Sequence, residues 1–108
     1  MADREIPPHL RRHMNAQDLI RRLQRLRSPT QHLEMELRRE HVDEKLLAEI
    51  DTMMENGIAT DARAAELRDL VDALRERTLI ARPTRYDEAV HACARLRIAI
   101  GKVIDDLG

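Results

Sequence analysis

The last quarter of the chain carries apolar residues at steps of three and four, and this spacing constrains the fold more than any other feature. On an α-helix, positions spaced in this way share one face, which can pack against a core. Thr84 and Asp87 stand three residues apart at the beginning of the pattern, as at a helix start. We therefore expect a deeply buried helix over about residues 85–107, whose apolar face consists of Tyr86, Ala89, Val90, Cys93, Leu96, Ile100, Val103, Ile104 and Leu107.

The side chains available for the core indicate the same fold class. Tyr86 is the only aromatic residue, so Leu, Ile, Val, Met and Ala must fill the interior. Aliphatic side chains of this kind suit helix-on-helix packing, whereas strands favour β-branched and aromatic residues. The chain of 108 residues has the length of one domain. We predict an all-α protein with a single helical bundle domain over residues 9–108 and a flexible N-terminal tail over residues 1–8.

Capping signals divide the first half of the chain into two predicted helices. Ser28 is suited to cap a helix, and Pro29 fits the first helical position, where its missing N–H costs nothing. This pair predicts a helix over about residues 9–27 and a second helix over 29–56. Asn15 followed by Asp18 also has the spacing of a cap, which leaves a later start for the first helix open.

Gly57 and Pro83 bound the third predicted helix. Gly57 is suited to the left-handed conformation that follows the last turn of a helix. Thr60 and Asp61 open the next helix, with the acidic residue at the positive end of its dipole. Pro83 stops this helix because the residue before a proline is pushed out of helical geometry. The third helix is therefore expected over about residues 61–81. Because short connections favour antiparallel neighbours, we predict an antiparallel four-helix bundle.

The charges are distributed unevenly between the first two predicted helices. Residues 1–30 contain seven arginines and three acidic residues, whereas residues 31–60 contain eight acidic and three basic residues. We expect the basic first helix to lie against the acidic second one. Exposed ion pairs contribute only about 0–1 kcal/mol each, so such pairing would help the register more than the stability.

Overall composition bounds the compartment and the general partners. The net charge of −1 gives no global field that would attract nucleic acid or a membrane surface. No apolar run approaches the roughly 20 residues of a membrane span, and the N-terminus shows no apolar signal segment. The single cysteine, Cys93, excludes an internal disulfide framework and fits a reducing compartment. We expect a cytoplasmic protein without a membrane partner.

Two clusters of polar residues are candidates for ligand contacts. The densest basic cluster would be an anion or nucleic-acid contact, but the near-neutral chain and the lack of stacking aromatics argue against nucleic acid. His9 and His13 would share one helix face, which binds zinc only if further ligands converge on it. The histidines have no ordered ligand spacing, so we assign no metal site. The basic residues concerned are Arg11, Arg12, Arg21, Arg22 and Arg25.

The sequence contains no recognisable catalytic motif. A glycine-rich phosphate loop, a nucleophile elbow and a convincing pair of catalytic carboxylates are all missing from it. Cys93 lies on the apolar stripe of the last predicted helix, where a buried thiol acts as a small hydrophobe. We therefore expect a protein that is not an enzyme, with no catalytic residues and no cofactor.

Surplus apolar residues indicate a surface for a partner. Leu33 and Leu37 share one helix face while Met35 points to the other side, so this stretch is apolar on two sides. Surplus apolar surface marks an oligomer or partner contact. We predict a non-enzymatic interaction module, such as a regulatory adaptor, antitoxin-like or chaperone-like subunit, that forms a homodimer or binds a protein partner. The expected interface consists of Leu33, Met35, Leu37, Met53, Met54 and Ile98.

Two other functions remain open at this point. The first is a ligand- or metal-binding bundle, because bundles build such sites from side chains on facing helices. The second is a nucleic-acid-associated regulator that uses the arginine-rich first helix.

Overall fold

The computed structural model describes residues 15–79 and 86–108, and within them four helices pack together. No strand occurs in these two ranges, so the all-α prediction is confirmed. Residues 1–14 and 80–85 lie outside the described ranges, and with them the predicted tail and the three predicted helix boundaries at residues 9, 81 and 85. The four helices are α1 (Ala16–Arg38), α2 (Glu44–Met53), α3 (Ala65–Leu79) and α4 (Tyr86–Leu107).

Helix α1 runs without interruption through Pro29, so the predicted boundary at Ser28 and Pro29 is wrong. A proline inside a helix removes one backbone hydrogen bond and costs about 3 kcal/mol. Pro29 is buried here, and the apolar stripe of α1 continues past it to Leu33 and Leu37. Packing of this continuous stripe outweighs the local cost, because a break at Pro29 would turn the later leucines out of register. The helix starts at Ala16, where the Asn15 side chain accepts a hydrogen bond from Asp18 N at 2.8 Å, as the alternative start predicts.

The predicted helix over residues 29–56 is wrong for a second reason, since the chain leaves the helix after Arg38. Glu40 takes the left-handed conformation with φ of 61°, and His41 N donates to the Glu36 carbonyl at 2.9 Å. This is the arrangement that terminates helices, here without the usual glycine. Asp43 then caps α2 by accepting from Lys45 N at 3.0 Å. Residues 29–38 therefore belong to α1, and α2 begins only at Glu44.

The turn after α2 agrees with the prediction for Gly57, which takes a left-handed conformation with φ of 103°. A wide turn over Met54–Ile58 closes with a hydrogen bond from Ala59 N to the Met54 carbonyl at 2.8 Å. Asp61 caps a short 3₁₀ turn, Ala62–Ala64, that leads directly into α3. Both local signals therefore operate as the sequence indicates.

The core lies chiefly between α1 and α4, which form the most extensive contact between helices. Helix α2 packs mainly against α1, and α3 mainly against α4. The core is aliphatic, as the composition predicts. The largest fully buried side chains are Leu19, Leu23, Leu26, Thr30, Leu33, Leu37, Ile50, Ile58, Leu67, Leu74, Leu96 and Ile100.

Candidate functional site

The structure divides the predicted interface residues between the surface and the core. Met35 on α1 and Ile98 on α4 expose 55% and 61% of their surface, which is unusual for side chains of this size. Met53 is partly buried against the core. These three residues can contribute to a contact with another molecule.

The prediction that Leu33, Leu37 and Met54 contribute to an exposed interface is wrong. Leu33 and Leu37 are completely buried, and Met54 is nearly so. The prediction that Met35 points away from the two leucines agrees with the structure, but the leucines face the core rather than a second surface. The cause is the uninterrupted α1 helix, which carries the stripe of Leu19, Leu23 and their successors straight into this segment.

A third exposed apolar residue, Leu79, was missed by the sequence reasoning. It exposes 77% of its surface at the end of α3 and borders a groove of about 340 Å³ between α2 and α3. Leu47 and Val42 line the same groove from the α2 side. The spacing of apolar residues does not identify Leu79. Its position does not follow the helical period of α3, and nothing else in the sequence marks it as exposed.

A charged pair crosses the contact between α1 and α4. The nearly buried Glu34 carboxylate accepts hydrogen bonds from Arg97 Nε at 2.7 Å and from Arg38 Nη2 at 2.9 Å. Burial alone would raise the pKa of Glu34, but the hydrogen bonds and charges of Arg97 and Arg38 outweigh it, so this pKa lies below its ordinary value. No local pattern in the sequence indicates this pair, which joins residues distant in the chain.

Cys93 lies one turn from this pair and is buried, as the sequence predicts. Its Sγ donates to the Thr30 carbonyl at 3.2 Å. Burial and the nearby charge of Glu34 raise the pKa of the thiol to about 12, against a smaller opposite effect of Arg97. Because the thiolate is the reactive form, Cys93 is an inert part of the core at neutral pH.

The predicted basic cluster is only partly described, because Arg11 and Arg12 lie in residues 1–14. Arg21 pairs with Asp18 of its own helix at 3.4 Å. Arg22 Nη1 donates to the backbone carbonyl of Asn56 at 2.7 Å, which ties α1 to the turn after α2. Arg25 borders a groove of about 190 Å³ at the same place, beside Met53 and Ile58.

The predicted pairing of a basic first helix with an acidic second helix takes a different form, because residues 29–38 belong to α1. Asp51 of α2 forms an ion pair with Arg75 of α3, while Arg22 of α1 uses a backbone carbonyl instead of a carboxylate. Arg22 therefore joins α1 to the turn after α2 through a backbone hydrogen bond, and the ion pair of Asp51 joins α2 to α3 instead of α1.

The candidate metal ligands do not form a site in the described part of the chain. His9 and His13 lie in residues 1–14. His41 Nδ1 is 2.9 Å from Glu36 Oε1, and His32 Nε2 is 3.9 Å from Glu36 Oε2. Within residues 15–79 and 86–108, no three His, Cys, Asp or Glu side chains are arranged to hold a metal ion. The helices of these ranges also include none long and apolar enough to cross a membrane.

Two shallow grooves flank the start of α4. One of about 360 Å³ lies between α3 and α4 and is bordered by Arg77, His91 and Arg95, and another of about 370 Å³ lies between the end of α1 and α4. Both are open to solvent. Neither brings together the nucleophile, base and oxyanion donors that an acyl- or phosphoryl-transfer site needs.

No protein-family model matches the chain, and comparisons with curated proteins and with solved structures found no match.

Proposed function

We propose that this protein is a non-enzymatic helical interaction module that acts as a homo-oligomer, with the homodimer as its simplest form. The observation that carries the proposal is the exposure of three large apolar side chains, Met35, Leu79 and Ile98, on a domain whose leucine core is closed. These residues are therefore not left over from an incomplete core. A regulatory adaptor, antitoxin-like or chaperone-like subunit would have this property.

Two of the exposed residues lie on rigid parts of the structure, where a partner can contact them. Met35 and Ile98 are in the interiors of the two longest helices, not in connecting loops. Complete burial of a side chain of this size is worth about 1.5–3 kcal/mol, and each residue has roughly half of its surface left to bury. Methionine also adapts its shape to a partner surface.

We also propose that the four helices run in antiparallel order. The contact from Arg22 to Asn56 supports this order for α1 and α2, because it joins the early part of one helix to the end of the other. The ion pair of Arg77 with Glu88, at 3.5 Å, joins the end of α3 to the start of α4. Short connections between such neighbours favour the same arrangement.

Localisation in the cytoplasm is part of the proposal. It is supported by Cys93, the single cysteine of the sequence, which is a free thiol in the core. Intracellular compartments keep such thiols reduced.

Native mass spectrometry of the gently purified protein tests the proposed function. We expect a multiple of the single-chain mass of 12.6 kDa without additional mass. Replacing both Met35 and Ile98 with Glu should return the protein to the single-chain mass, because a contact that uses either side chain would then have to bury a charge. The helical content, measured by circular dichroism, should not change, since both side chains are exposed.

Thr52→Glu provides the matched control. Thr52 is an exposed residue of α2 whose hydroxyl donates only to the Ala48 carbonyl of its own helix, so this added charge should leave the oligomer intact. A wild-type protein that keeps the single-chain mass at every concentration would contradict the proposal. A species with additional bound mass would instead favour the ligand- or metal-binding alternative.

A further inference from the structure

The outward side of α1 carries a line of residues that differs from the rest of the surface. Its members are spaced by alternating steps of four and three along the helix, and every one of them is exposed. They lie opposite the buried stripe that contains Leu23, Leu26 and Leu33. The outward line consists of Gln17, Arg21, Gln24, Ser28, Gln31, Met35 and Arg38.

Five of these seven residues are uncharged, in a chain with 36% charged residues. The exposed charges of α1 that lie off the line, Arg22 and Arg25, are on one side of it. Helix α3 provides the comparison, because six of its seven exposed residues between Arg68 and Arg77 are charged. A solvated helix face in this protein is therefore charged, and the outward line of α1 departs from that pattern.

The glutamines give the line a seven-residue repeat. Gln17, Gln24 and Gln31 are the only glutamines of the chain, and each follows the previous one after seven residues. A repeat of seven keeps side chains on the seam between two helices that coil around each other. Uncharged polar residues at seam positions specify register and orientation at some cost in stability.

We propose that α1 pairs with α1 of a second copy along this outward line, in antiparallel orientation. This inference rests on the proposed homo-oligomer and specifies its contact surface. Ser28 is the central residue of the line, so it would lie near the two-fold axis. Met35 would meet the first half of the partner helix, where its exposed side chain becomes buried.

The charges of α1 favour the antiparallel orientation of a second copy over the parallel one. Residues 16–27 contain four arginines and one acidic residue, Asp18, whereas residues 28–39 contain Glu34 and Glu36 balanced by Arg38 and Arg39. A parallel pair would place two strongly basic halves side by side. An antiparallel pair places each basic half against a half without net charge, so α1 is better matched to its own reversed copy.

Disulfide trapping in the full-length protein tests the proposal. Ser28→Cys would place two thiols close together across the axis, and mild oxidation should link two chains. Gln17→Cys, near one end of the line, would place its thiols far apart in an antiparallel pair and should not link. The native Cys93 needs no substitution because it is buried in the core.

Arg68→Cys, on the exposed side of α3, is the matched control for random collision, and the wild type controls for Cys93. We expect about tenfold more linked dimer on a non-reducing gel for Ser28→Cys than for either Gln17→Cys or Arg68→Cys, since a disulfide forms only between closely approaching residues. Native mass spectrometry of the unoxidised wild type accompanies the gel.

The outcomes separate this contact from the proposed function. A dimer in which Gln17→Cys links as efficiently as Ser28→Cys would overturn the antiparallel orientation. A dimer in which Ser28→Cys links no better than Arg68→Cys would overturn the contact along α1 but leave the homo-oligomer standing. A wild-type single-chain mass would overturn both.

Discussion

The contact between α1 and α4 and the contact between α2 and α3 are held together in different ways. Between α1 and α4, completely buried leucines surround a nearly buried carboxylate, Glu34, that accepts from Arg97. Between α2 and α3, an open groove separates the helices, and the exposed ion pair of Asp51 with Arg75 spans it. Stability therefore resides mainly in the α1–α4 pair, to which α2 is attached mainly through α1 and α3 mainly through α4.

The largest expected difference between the two contacts comes from removing an apolar side chain from each of them. Leu33→Ala should lower the free energy of unfolding by about 2–5 kcal/mol, because the truncated side chain leaves a cavity in a closed core. Leu47→Ala, at the half-buried edge of the α2–α3 groove, should cost about 1 kcal/mol or less, since solvent already reaches it. Chemical denaturation measures both. Equal losses would contradict the difference between the contacts.

Replacing one carboxylate in each contact, Glu34 or Asp51, should give a difference in unfolding free energy of intermediate size. Glu34→Gln should lower the free energy of unfolding by about 1–3 kcal/mol, because it removes charge-assisted hydrogen bonds from a nearly buried site. Asp51→Asn should cost only about 0–1 kcal/mol, as expected for an exposed pair.

The effect of Glu34 should also depend on pH in a definite direction. Its pKa is lower in the folded protein than the ordinary value of 4.5, so its charge stabilises the fold above that pH. This contribution should disappear as the pH falls through the folded-state pKa. The difference in unfolding free energy between the wild type and Glu34→Gln should therefore shrink on acidification below about pH 4.5. A difference that grows on acidification would show that the carboxylate does not act through its charge.

The smallest expected effect concerns Gly101, where α4 passes the Arg27 side chain of α1. An added Cβ would lie 3.7 Å from Arg27 Nη2, an ordinary contact, so there is room for Ala. Gly101→Ala should raise the free energy of unfolding by about 0.5–1 kcal/mol, because glycine is a poor residue inside a helix. Gly57→Ala is the control with the opposite sign, since its φ of 103° strains any side chain. A loss at Gly101 would mean that the α1–α4 contact requires a closer approach there.

Part of the candidate surface could be read from the sequence. Met35 stands on the opposite side of its helix from Leu33 and Leu37, and this geometry follows from the helical period alone. Which of the two sides faces the core does not follow from it, because both carry apolar residues. The continuous α1 helix settles this by extending the stripe that begins at Leu19.

Glu34 and Leu79 could not be predicted in the same way. A glutamate is ordinarily a surface residue, and nothing near Glu34 in the chain indicates that Arg97 will reach it. Leu79 is an apolar residue of the kind found in cores, but it lies at the end of α3. It borders the groove between α2 and α3, which do not pack closely against each other. Both environments arise from the positions of whole helices rather than from local patterns.

The sequence by itself determined the helical class, the aliphatic core and the local signals at Asn15, Gly57 and Asp61. These features follow from the period of the apolar residues and from hydrogen bonds between residues close together in the chain. Such bonds form locally and do not depend on how the helices pack. Only the tertiary structure decided that α1 passes through Pro29. The local penalty of a proline is fixed by its own chemistry, whereas the gain from burying Leu33 and Leu37 beyond it exists only once α4 is packed alongside.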